Sequence, residues 1–177
     1  MIWKILVNFI LILLVSILQI SFISNLPAGL NGLNIILLVI VFILMFSNYV
    51  LAFWWTIGLS LFFEIYFFLP FGLYSLVLFI TLNIIYFLLY NFFTNRSLYS
   101  VLALIFFANL IYNILFIIFL YLFHLFFQTD FNITLNFDFI SLQLFHLILN
   151  LFLAFIIFYI INFISYRWRP VFLVKKI

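Results

Sequence analysis

The sequence predicts an all-α integral membrane protein, a single bundle of about six transmembrane helices. Three observations lead there. Of the 177 residues, 72% are hydrophobic and only 5% charged, with a mean hydropathy of +1.55, whereas soluble domains carry about 25% charged residues; water cannot solvate such a surface. The apolar runs between the few polar, Gly or Pro interruptions have the length a bilayer core requires, roughly 17–25 helical residues. The basic residues also fall on one side once those runs alternate across the membrane. Residues 1–177 then form one transmembrane domain, with no room for a separate catalytic domain.

The first run begins Met1-Ile2-Trp3-Lys4 and stays apolar from Ile5 to Ile23. That is longer than the roughly 7–15-residue core of a signal peptide, and no small-x-small cleavage site follows, so it reads as a retained span near 4–23. SNLPAGLNGLN at 24–34 interrupts it. A second span near 31–47 stops at Ser47-Asn48, and a third near 49–69 stops at Pro70-Phe71-Gly72. The fourth, near 73–93, ends at TNRS (94–97), and the fifth covers 98–127. QTDFNITLNFD (128–138) separates it from a sixth span near 139–165, which leads into a short tail at 166–177. The joints around the third span are tight, so spans two, three and four pack as antiparallel neighbours. The fifth exceeds the bilayer thickness and must tilt, kink or continue beyond the surface.

Short cytoplasmic loops collect Lys and Arg. With both termini cytoplasmic, Lys4, Arg96, Arg167, Arg169, Lys175 and Lys176 all lie inside, and Asp130 and Asp138 lie outside. Trp3, Trp54, Trp55 and Trp168 then gather toward the inner interface as an aromatic belt would. At about 1 kcal/mol per basic residue near an anionic leaflet, Arg167, Arg169, Lys175 and Lys176 are expected to hold the tail to lipid headgroups.

Polar residues inside the spans recur on single faces. Ala52, Thr56, Ser60 and Glu64 repeat every fourth residue, a stripe that favours close helix packing, with Gly58 off that line. Narrower stripes are Asn8, Ser16 and Gln19; Asn83, Tyr86 and Tyr90; Asn109 and Asn113; and Gln143, His146 and Asn150. Unsatisfied amides facing hydrocarbon are costly, so these sets should point inward or toward a partner. Glu64 is the one acid among the first 129 residues, and an intramembrane acid is a site candidate by default. Its expected partners are stripe amides, a backbone N–H at the start of the fourth span, or a side chain of another protein.

Catalytic and cofactor chemistry has little to build on. There is no cysteine, hence no disulfide, thiolate metal site or cysteine nucleophile. His124 and His146 are the only histidines, and neither has a carboxylate at ligand spacing. No G-x-S-x-G, credible Ser-His-Asp set or Gly-rich phosphate loop is present, so no enzyme, metal, cofactor or nucleic-acid partner is expected. Asn132-Ile133-Thr134 matches a glycosylation sequon, a pattern too short to carry weight.

The order of features resembles the rod shape-determining protein MreD family of bacteria. The first span ends near Leu18-Gln19, the second opens with Asn34-Ile35-Ile36-Leu37, and the third carries Gly58 and the late acid Glu64. Leu69-Pro70-Phe71-Gly72-Leu73-Tyr74-Ser75-Leu76 follows, so the likeness covers roughly residues 1–120. The chain departs from the family at Leu33, where Pro is frequent, at Glu64, where Asp is common, and in lacking a second Gly before that acid.

The resemblance implies a non-enzymatic scaffold subunit of the cell-elongation machinery in the bacterial cytoplasmic (inner) membrane. It also implies binding to the bitopic shape protein MreC. Through MreC it implies association with a RodA-type glycosyltransferase, a class B penicillin-binding protein and MreB filaments. It implies a fold like the S-components of energy-coupling-factor transporters. Glu64, Ser60, Thr56, Gly58, Pro70, Phe71, Gly72 and Tyr74 would then be a partner-binding surface or structural anchor. The alternative is an S-component proper, binding a vitamin or metal and docking on an ATPase; the A-x-x-x-A docking face frequent there is missing, since the first span has no alanine.

Overall fold

A computed structural model describes residues 2–27, 29–67, 70–93, 97–127 and 137–172. Arg96, Asp130, Lys175, Lys176 and the 132–134 match lie outside these residues, as do the side chains of Asp138, Arg167, Trp168 and Arg169. The described residues contain helices and no strand. They form α1 (Ile2–Ile17), which continues as a π-helical segment (Leu18–Ile23), a 3₁₀ turn (Leu30–Gly32), α2 (Ile35–Phe46), α3 (Tyr49–Phe67), α4 (Leu73–Asn91), α5 (Leu98–Phe127) and α6 (Phe137–Phe172). Among the described residues five helices are long and apolar enough to cross a bilayer, so the chain is a multi-pass membrane protein.

The polar interruptions in the sequence start and stop these helices by identifiable bonds. Asn34 caps α2 by accepting the Leu37 N–H at 3.0 Å, and Asn48 caps α3 by accepting that of Leu51 at 2.9 Å. Ser97 Oγ accepts the Ser100 N–H at 3.2 Å at the start of α5. Gly72 opens α4 at φ +93°, a backbone state that costs glycine little and other residues more.

α2 departs most from the expected span at 31–47. It has 12 residues, about 18 Å of helix against a hydrocarbon core of about 30 Å. Eight of the twelve are buried, and α2 touches every other helix. It is the central post of the bundle, apolar all round because protein surrounds it. The 3₁₀ turn and extended residues 33–34 occupy the depth that a longer helix would have filled.

The sixth span, expected near 139–165, agrees with the apolar stretch Phe139–Phe163, and the α6 backbone stays helical beyond it to Phe172. Polarity at Arg167 and Arg169 ends the hydrocarbon span, but Arg is a good helix former and does not end the helix. α5 is one helix of 30 residues, about 45 Å long against a hydrocarbon core of about 30 Å.

α3 packs between α1, α2 and α4, and α5 packs between α2, α4 and α6. Ala52, Thr56, Ser60 and Glu64 are all buried, so the four-residue stripe is a helix contact face as its spacing indicates. Gly58 serves a different contact: a Cβ there would sit 3.0 Å from Ile12 Cγ2 and 3.1 Å from its Cδ1, so the missing side chain lets α1 close on α3.

Candidate functional site

Three polar features occupy the half of the bundle where α1, α3 and α5 end and α2, α4 and α6 begin. The first is the α3–α4 joint. Glu64 is 2% exposed, and both carboxylate oxygens accept backbone N–H groups from the start of α4: Ser75 to Oε1 at 2.7 Å and Gly72 to Oε2 at 3.1 Å. The acid on one helix therefore caps the next, satisfying two of the N–H groups a helix start leaves open and placing negative charge at the positive end of its dipole. Ser75 Oγ donates to Ser60 Oγ at 3.0 Å, and Ser60 Oγ donates to the Ile57 carbonyl at 2.9 Å. The backbone partner at the fourth span is the one Glu64 takes.

The second feature is a carboxamide clasp around residues 32–35. Gln19 donates from Nε2 to the Leu33 carbonyl at 2.9 Å and accepts the Ile35 N–H on Oε1 at 2.8 Å. Asn150 of α6 accepts the Asn34 N–H at 2.8 Å and donates to the Gly32 carbonyl at 3.3 Å and to Asn109 Oδ1 at 3.0 Å. Non-helical backbone survives at membrane depth only where its polar groups find protein partners. An amide supplies donor and acceptor together, and two of them, from α1 and α6, do this for the segment entering α2. The π-helical turn at Leu18–Ile23, closed by Ser24 N–H and Oγ on the Gln19 carbonyl at 3.0 Å each, carries Gln19 at that position.

The third feature is a cavity of about 340 Å³ beside the clasp. Phe63, Phe67, Tyr74, Tyr112 and Phe116 form its aromatic side. Phe63 stacks on Tyr74 at a centroid distance of 4.4 Å, and Tyr74 meets Tyr112 edge-on at 5.9 Å. Asn113, Gln143 and His146 also line it. His146 Nε2 is buried without a hydrogen-bond partner. A Cβ at Gly32 would overlap the His146 ring, so that glycine makes room for the imidazole.

The residues singled out in the sequence divide accordingly. Glu64, Ser60 and Gly72 meet at the α3–α4 joint; Thr56 is buried and bonds its own helix at the Ala52 carbonyl, 2.8 Å away. Gly58 lies against α1, and Tyr74, 1% exposed, lines the cavity. Phe71, 79% exposed, stands out at the turn beside half-buried Pro70. Among the tryptophans, Trp3 and Trp54 are exposed as a belt requires, but Trp55 turns inward and donates to Asn8 Oδ1 at 3.2 Å.

The stripe of Asn83, Tyr86 and Tyr90 is not an interior one. Tyr49 donates to Asn83 Oδ1 at 3.0 Å, while Tyr86 and Tyr90 are exposed. The cavity itself was not foreseen, although the amides around it were; its signal was the Gly- and Asn-rich run at 24–34 inside an otherwise apolar chain. Among the described residues no His, Asp or Glu cluster is arranged to hold a metal ion. The described residues of the site offer hydrogen bonding and aromatic packing. Comparison of the chain with protein-family models, with curated proteins and with solved structures finds no match.

Proposed function

We propose that the protein is a non-enzymatic scaffold subunit of the bacterial cell-elongation machinery, of the kind represented by the rod shape-determining protein MreD family. It would sit in the cytoplasmic membrane with both termini inside, bind a bitopic shape protein of the MreC type, and through it help organise a RodA-type glycosyltransferase, a class B penicillin-binding protein and MreB filaments. The observation that carries the proposal is where the resembling residues lie. Gln19 and Asn34 belong to the clasp at the start of α2, and Glu64 with Gly72 and Ser75 makes the α3–α4 joint. The short motifs are thus the polar joints of the fold, as expected of a protein whose work is to hold a shape for partners. The exposed Phe71 at that joint offers an apolar contact at the membrane edge. The basic residues of the α6 end and tail would add anionic lipid to the partners.

The test is depletion of the protein in its native host, with cell dimensions followed by microscopy. Conversion of rods to rounded cells, reversed by the intact gene, supports the proposal. Unchanged shape with loss of uptake of one nutrient contradicts it and favours a transporter component.

A further inference from the structure

We propose that the edge of the bundle formed by α5 and α6 is an interaction surface for long-chain phospholipid, along which the hydrocarbon layer is drawn out thicker than along α3 and α4. The inference rests on the multi-pass character of the chain and not on the scaffold role.

Helix lengths carry it first. α3 and α4 have apolar spans of 19 residues each, about 28 Å, which match a hydrocarbon core of about 30 Å. The apolar spans of α5 (Leu98–Leu125) and α6 (Phe139–Phe163) have 28 and 25 residues, about 42 and 38 Å. Neither contains Asp, Glu, Lys or Arg, and Asp138 lies just before the second. Tilt alone does not absorb the surplus. Fitting 42 Å into 30 Å needs a tilt of about 44°, beyond the roughly 0–40° that membrane helices adopt, and at their mean of about 20° both spans still exceed the core by about 5–10 Å.

The surplus sits at the end where α5 stops and α6 starts. Leu73, the first residue of α4, packs with Val77 and Leu120 in one cluster, so residues 121–127 of α5 rise about 10 Å past the start of α4. On α6, Phe145 lies against Gly29, where a Cβ would come within 3.1 Å of its ring. Residues 137–144 precede it, about 12 Å of helix.

The faces that these ends continue show what covers them. On α6, Ile140, Leu144, Ile148 and Phe152 are exposed at every fourth position, and on α5 Ile114, Ile118, Leu122 and Leu125 form a similar exposed row. Each row runs from mid-helix, at the depth of the acyl chains, into the projecting part while staying apolar. A helix end standing in water would present polar side chains there. Lipid therefore follows α5 and α6 outward, and the chain carries a step in hydrocarbon thickness across its width.

The experiment uses the full chain, which has no cysteine, in vesicles of equimolar dimyristoleoyl- and dierucoyl-phosphatidylcholine, a short-chain and a long-chain lipid. Discs cut from these vesicles around the unaltered protein with styrene–maleic acid copolymer are expected to hold the long-chain lipid at about twofold or more over the bulk ratio. Nitroxides attached through Leu122→Cys and Ile140→Cys should collide with oxygen in preference to a nickel chelate by about tenfold more than one at Phe71→Cys on the exposed α3–α4 turn. Thermal midpoints check the folding of the labelled variants, and the disc composition needs no variant. Discs of bulk composition overturn the proposal, since tilt would then have taken up the length. So do nitroxides at Leu122→Cys and Ile140→Cys that meet the nickel chelate as readily as the turn does, which places these ends in water, or that are shielded from both reagents, which places protein over them.

Discussion

Replacing Glu64 with Gln probes the α3–α4 joint at nearly constant volume. Both carboxylate oxygens accept N–H groups, at 2.7 and 3.1 Å; Gln keeps one acceptor and turns an NH₂ toward the other donor. One charge-assisted bond is lost, about 1.5–3 kcal/mol, along with the charge–dipole term at a helix N-terminus, about 0.3–1 kcal/mol. The expected destabilisation is about 2–4 kcal/mol. Unfolding by SDS titration in mixed micelles, followed by tryptophan fluorescence, measures it. Ser75→Ala, which removes only the Ser60 contact, should cost about 0.6 kcal/mol, the usual value for a hydrogen bond between membrane helices. A Glu64→Gln variant within about 0.5 kcal/mol of the parent would refute the capping role.

Asn150→Leu removes three hydrogen bonds and leaves the Asn34 N–H without its partner, for an expected loss of about 2–4 kcal/mol in the same titration. Gly58→Leu should cost about 1–3 kcal/mol by forcing Ile12 away, and Ile12→Ala should recover much of that in a double-mutant cycle. At Gly72 a Cβ meets nothing within 4 Å, so Gly72→Ala tests the backbone alone and should cost about 1–2 kcal/mol from φ +93°.

The parts of the fold set by local chemistry were legible in the sequence. Joints at Ser47-Asn48, Pro70–Gly72 and Ser97 follow from side chains that cap helices or permit positive φ, and these act within a few residues. The stripe from Ala52 to Glu64 was legible because a four-residue period fixes one face wherever the helix sits. Two features were not. The shortness of α2 depends on Asn150, 116 residues beyond Asn34 in the chain, supplying bonds that allow non-helical backbone at that depth. Hydropathy averaged over the run near 31–47 reads one span, since Asn31 and Asn34 at its start are outweighed by the apolar residues that follow. The cavity likewise arises where the α2 entrance, α5 and α6 meet, so the inward direction of Asn113, Gln143 and His146 could be read but not the space they enclose.

Gentle purification of tagged protein from its native membrane, with mass spectrometry of what accompanies it, tests the scaffold proposal most directly. Recovery of a bitopic shape protein with cell-wall synthases, reduced when Phe71 is changed to Asp at the exposed turn, is the predicted result. Recovery of ATPase subunits in their place would contradict it.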